Sequence, residues 1–175
     1  MQKNSIRPLA LGLLVLGVLA RVAPHPPNFA PVGSLSLFAG ARLRGWMAYL
    51  LPLALMAVTD PLVGGYSVAT PFVYLSFLIS VWIGTRLRAS RSFVRVGVAA
   101  VVTSAQFFVI SNFGMWLGTA MYPHTPAGLA ACYVNAIPFY GPTLAADVLY
   151  TGVLFGLHAW LSRLVATGEQ VPQTA

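Results

Sequence analysis

Few side chains in this sequence can do chemistry, and most of those sit in connections or at the ends of apolar runs. They are three acidic residues, three histidines and one cysteine among 175 residues. Asp147 is the most telling, because it lies inside an apolar run. A carboxylate at the centre of a hydrocarbon layer costs about 2.5–3.5 kcal/mol on insertion scales, so it must face a cavity or a partner. Two roles stay open for it. It is a ligand contact or structural acceptor in a pocket, or a residue at the start of its own helix, favoured by the dipole with Thr143 as cap. Asp60, before Pro61, is a turn residue or a second polar ligand group. His25, His124, Cys132 and the two aspartates are metal-ligand types, but no HxxxH or CxxC spacing joins them, and no metal or other cofactor is expected. An acid–base pair would have to join His25 or His124 to Asp60 or Asp147. No nucleophile–base spacing accompanies it, so no catalytic residue is predicted. A lone Cys132 is a small buried hydrophobe or a soft-metal thiolate. His158 is read as a packing or hydrogen-bonding histidine.

Aromatic residues crowd around these polar groups. Phe107, Phe108, Phe113, Trp116, Tyr122, Tyr133, Phe139 and Tyr140 fall within 34 positions, denser than an interfacial belt needs. They are a belt or the walls of a pocket, and a small-molecule pocket is commonly aromatic with a few convergent polar groups. The predicted ligand-binding set is His25, Asn28, Phe29, Asp60, Tyr66, Asn112, Trp116, Tyr122, His124, Tyr133, Asn135, Phe139 and Asp147.

The positioning elements follow from composition. At 58% hydrophobic and 7% charged residues, the chain lacks the roughly 25% charge of a water-facing domain. Apolar runs fall at about 8–23, 31–43, 45–60, 70–85, 96–118 and 143–164. The first also fits a signal peptide, but a retained helix suits the membrane-like remainder. The second is short for a span and is read as a tilted or partly buried helix. A turn-rich stretch is expected over 60–66. A connector over 119–142 should hold a short interfacial helix at 127–137. The fold class is therefore all-α, a bundle of six transmembrane helices forming one domain over 1–166, with a disordered tail at 167–175. Gly114–Gly118 and Gly152–Gly156 match GxxxG, allowing close approach inside the bundle or against another chain.

Charge sets the orientation. With the N-terminus inside, Lys3, Arg7, Arg42, Arg44, Arg86, Arg88, Arg91, Arg95 and Arg163 fall on the inner side and only Arg21 on the outer. This bias predicts cytoplasmic termini in a multi-pass inner-membrane protein whose first partner is the lipid bilayer. Basic residues scattered between apolar runs are a topology signal, and they exclude a nucleic-acid-binding stripe.

The segment from Arg21 to Phe29 leading into Phe38-Ala39-Gly40-Ala41 resembles an uncharacterised family of small bacterial membrane proteins. So do Leu51-Pro52 to Asp60, Ser111 to Trp116, Tyr122-Pro123, and Ala136 to Asp147. That family is related to the substrate-binding (S) components of energy-coupling-factor (ECF) transporters. The likeness implies a six-helix bundle that captures one small solute, a vitamin-like molecule or metal ion, at the outer face for uptake. The site would be closed by the outer loops holding His25–Phe29, Asp60–Tyr66 and Tyr122–Tyr140. An energising transporter module would be a further partner, although Gly12, Gly17 and Ala20 replace the paired alanines that dock on it. The other function classes are a membrane assembly subunit without solute and a membrane enzyme acting on a lipid or cofactor.

Overall fold

The computed structural model describes residues 6–24, 26–90 and 92–168. Among them the chain forms six helices and no strand: α1 (Ile6–Val22), α2 (Val32–Arg42), α3 (Met47–Val63), α4 (Thr70–Thr85), α5 (Phe93–Gly118) and α6 (Pro126–Gly168). The all-α class is as expected. By length and composition, two helices, Phe93–Gly118 and Pro126–Leu164, are long and apolar enough to cross a membrane, and α3 and α4 are shorter apolar helices.

The second run forms the organising element. At 11 residues, α2 is about 16 Å long, roughly half the thickness of a hydrocarbon layer. Every residue from Val32 to Ala41 is buried, and α2 packs against each of the other five helices. Its small residues allow this. A side chain at Gly40 would strike the Val81 carbonyl of α4, and one at Gly84 would strike the Leu37 carbonyl of α2. The two backbones therefore touch through reciprocal glycines. Below that crossing Phe38 packs edge-on against Phe155, with ring centroids 5.3 Å apart, amid Leu35, Val81, Ala100 and Leu154.

A helix buried at both ends needs partners for its orphan amides and carbonyls. Arg88 serves the C-terminal end, donating Nε to the Gly40 carbonyl (3.0 Å) and Nη2 to the Leu43 carbonyl (3.1 Å). Asp147 of α6 serves the N-terminal end. Its carboxylate abuts the α-carbon of Gly33, with the backbone of Ser34 and the Ser104 side chain facing it. A guanidinium thus sits at the negative end of the α2 dipole and a carboxyl group at the positive end.

Two expected boundaries move. The 60–66 stretch is not a free turn, since α3 runs on through Asp60 and Pro61 to Val63 before Gly64 caps it. A proline there leaves the carbonyl of Ala57 without its helical donor, and the Tyr66 hydroxyl supplies one at 2.6 Å. Tyr66→Phe is expected to cost about 1 kcal/mol in an unfolding titration in detergent. The separate interfacial helix at 127–137 is likewise merged with the sixth run into α6, which continues through Pro138 and Pro142.

The pairing of α6 with α5 shifts at those prolines. Tyr133 Oη bonds the Val109 carbonyl, yet fourteen residues later Asp147 reaches Ser104, only five positions back along α5. Nine residues of α6 are therefore taken up between the two contacts, where proline removes ladder bonds and bends helices. The GxxxG pairs also behave differently from expectation. Gly114 receives Phe72 of α4 rather than α6, while Gly152 and Gly156 meet nothing within 4 Å. Residues 169–175, most of the expected tail, lie outside the described residues, and α6 extends two residues past the expected domain end at 166.

Candidate functional site

Because α2 begins only halfway along the bundle, the space above its first turn is filled by a cleft. The deeper compartment, about 180 Å³, is floored by Val32 and Gly33 and lined by Arg21, Met56, Phe77 and Asp147. The shallower one, about 340 Å³, lies among Phe107, Phe108, Ser111, Asn112, Met115, Phe139 and Tyr140. Asn28, Val73, Phe107 and Thr143 line both, so the two compartments adjoin across these side chains.

Each wall has a local cause. Asn28 is the only described non-glycine residue at positive φ (60°), a conformation asparagine tolerates, and it turns residues 26–31 so that Asn28 lines the cleft. Phe107 stacks on Phe77 at 5.4 Å, and Phe108 packs between Tyr133 (5.8 Å) and Tyr140 (4.9 Å). The bend in α6 delivers Phe139 and Tyr140 here. Asp147, 3% exposed, closes the bottom. The expected dipole partner of Asp147 is corrected: it lies in the middle of α6 and serves the N-terminus of α2. Thr143 is no cap either, since its hydroxyl bonds the Phe139 carbonyl at 3.0 Å.

Of the predicted set, Asn28, Asn112, Phe139 and Asp147 line the cleft. The others have different work. Asp60 is buried in an ion pair, with Arg21 Nη2 at 2.5 Å and the Tyr74 hydroxyl at 2.7 Å, while Arg21 also bonds Thr59. This cluster ties α1, α3 and α4 together. Tyr66 serves Ala57 as above. Trp116 donates Nε1 to the Pro123 carbonyl at 2.9 Å, with His124 edge-on at 5.5 Å, and this pair braces the α5–α6 turn. Asn135 donates to Tyr122 Oη at 3.3 Å, Tyr133 is bonded to α5, and Phe29 rests on Tyr150 at 5.8 Å. His25 lies outside the described residues. Cys132 is buried, with Sγ 3.5 Å from the Asn112 carbonyl. Among the described residues no three of His, Cys, Asp and Glu come together.

The sequence sets Phe107, Phe108 and Tyr140 apart as wall aromatics and offers Thr143 only as a helix cap, while Arg21, Val73, Phe77, Ser111 and Met115 receive no part in the site. Arg21 carried a usable signal, as the single basic residue on the carboxylate-bearing side. Val73 and Phe77 carried none, being apolar residues in an apolar helix.

These features define an all-α protein with two helices of membrane-spanning length and an aromatic-walled cleft over a buried half-length helix. Over residues 2–171 the chain matches a family described as a family of unknown function, DUF6580, and it belongs to that family. It matches no curated protein and no solved structure.

Proposed function

We propose that this protein is a six-span membrane transport subunit that captures a small organic solute in the cleft above α2, in the manner of ECF transporter S components. The single observation that carries this reading is the cleft itself: a buried carboxylate at its base, amides and hydroxyls on its sides, aromatic rings at its mouth. Its main compartment of about 340 Å³ lies within the roughly 300–1,000 Å³ of small-molecule sites. The donor set favours an organic, vitamin-like molecule with a flat ring over a metal ion, since rings stack on Phe107, Phe108 and Phe139 and Asp147, Asn112 and Asn28 bind polar edges.

Immersion in the membrane is supported by the apolar exterior. Only 28% and 33% of the spanning windows of α5 and α6 is buried within the protein, and Val98, Val102, Val109, Leu149 and Leu157 point outward. A core helix of a water-soluble protein would bury that face. In this arrangement α2 makes its crossing together with the irregular backbone of residues 26–31, allowed where such backbone is enclosed by protein. The arginine-rich end faces the cytoplasm of an inner membrane and the cleft faces outward. Solute binding there draws Asn28 and its turn inward, favouring an occluded state. The reading contains no catalytic step. One observation favours an assembly role instead: Gly152 and Gly156 lie open on α6.

A thermal-shift screen of the detergent-purified protein against water-soluble vitamins tests the reading. One compound should raise the melting temperature, and Phe139→Ala and Asn112→Leu should weaken its binding by about tenfold or more with little change in unliganded stability. Asp147→Asn should weaken it as well. Unaltered binding in all three variants, or a stoichiometric partner subunit and no stabilising solute, would sink the transport assignment.

A further inference from the structure

A second cavity opens at the opposite, arginine-rich end of the bundle, where the transport reading has no use for it. It is the larger of the two, about 640 Å³, and lies between α2, the α4–α5 connection and α6. Three arginines line it: Arg42, Arg88 and Arg163. Among the described residues no carboxylate does, and the two acidic ones, Asp60 and Asp147, stand at the other end.

Two of the arginines are built in rather than loose. Arg88 is anchored on the α2 carbonyls, and the Arg42 guanidinium lies 5.1 Å from the Phe155 ring centre. The decisive feature is what the cavity leaves unmet. His158 is 7% exposed, lines the cavity, and its Nε2 has no hydrogen-bond partner, and the same holds for the buried Arg42 Nε and Ser162 Oγ. Buried polar groups are nearly always paired, so three unmet groups converging on one basic cavity point to a missing acceptor. The start of α5, with its N-cap Ser92 and first residue Phe93, also borders it, adding the positive end of a 26-residue helix dipole.

We infer that this cavity binds a phosphate group, carried by the headgroup of an anionic phospholipid or by free phosphate. A tetrahedral oxyanion offers enough acceptors to satisfy two planar guanidinium forks, an Nε2–H imidazole and a hydroxyl together. A phospholipid fits the apolar surroundings best: exposed Phe93 lines the cavity, and Trp160 and Leu164, exposed on α6, directly follow the lining residues Ala159 and Arg163 in sequence. Basic pockets between spanning helices hold such headgroups.

Native mass spectrometry of the protein released from phosphatidylcholine nanodiscs, with and without phosphatidylglycerol, tests this. The same protein in detergent is titrated with inorganic phosphate. Phosphatidylglycerol should be retained selectively, and Arg42→Gln and Ala159→Trp should each reduce retention by about tenfold. The second variant fills the cavity without removing a charge, and melting temperatures confirm that both variants are folded. Arg95→Gln, exposed on α5 and outside the cavity, should behave as the wild type. Phosphate binding that both cavity variants weaken, without lipid selectivity, assigns the site to free phosphate and upholds the inference. Equal loss in Arg95→Gln would reduce the effect to diffuse surface attraction and overturn it. So would indifference of both ligands to both cavity variants.

Discussion

Arg21→Ala is expected to destabilise the protein by about 3–5 kcal/mol, because it strands the Asp60 carboxylate in a buried site without its cation. Asp60 is 8% exposed, and so is Arg21. With the guanidinium gone, one of the two contacts made by the carboxylate is lost, and only the Tyr74 hydroxyl at 2.7 Å remains. Thr59 loses its contact with Arg21 as well. The effect should be larger than removal of any single solvent-facing arginine, such as Arg95. The double variant Arg21→Met with Asp60→Leu should be less destabilised than Arg21→Ala, since two apolar side chains leave no unpaired charge. Unfolding by denaturing detergent, followed by circular dichroism, measures both. A double variant no more stable than the single one would show that the pair is not the unit of stability. Arg21 also borders the deeper cleft, so the single variant should weaken solute capture.

The second large effect is expected at Gly40. Gly40→Leu places a branched side chain where the Val81 carbonyl already stands, and neither backbone can yield without separating α2 from α4. The cost should reach or exceed the upper end of the roughly 1–3 kcal/mol typical of overpacking. Gly97→Leu is the control, since nothing lies within 4 Å of that position. Displacing α2 also moves Gly33 away from Asp147, so the floor of the cleft is lost with the crossing. Measured against Gly97→Leu, Gly40→Leu should show a lower yield of monodisperse protein and a lower melting temperature. Equal behaviour of the two variants would mean that the reciprocal glycine contact carries no packing weight.

Six apolar runs, a sparse charge content and the separation of basic residues from carboxylates were all legible in the linear order of residues. Helix-forming runs are a local property, and arginines that alternate with apolar runs sort to one end of any up-and-down bundle. The density of aromatics near residues 107–140 was legible for the same reason, and it led to four cleft residues. Tertiary structure decided the rest. Asp60 reads as a turn residue next to Pro61, but its role depends on Arg21, which lies 39 positions away in sequence. Asp147 reads either as a pocket group or as serving its own helix, but the backbone it faces belongs to α2. Nothing local specifies either pairing, because each arises from which helix ends meet once α2 is enclosed. The cleft itself is the clearest case. Its position follows from an 11-residue helix ending halfway through a taller bundle, and an empty volume is a property of the assembled helices, visible in none of them alone.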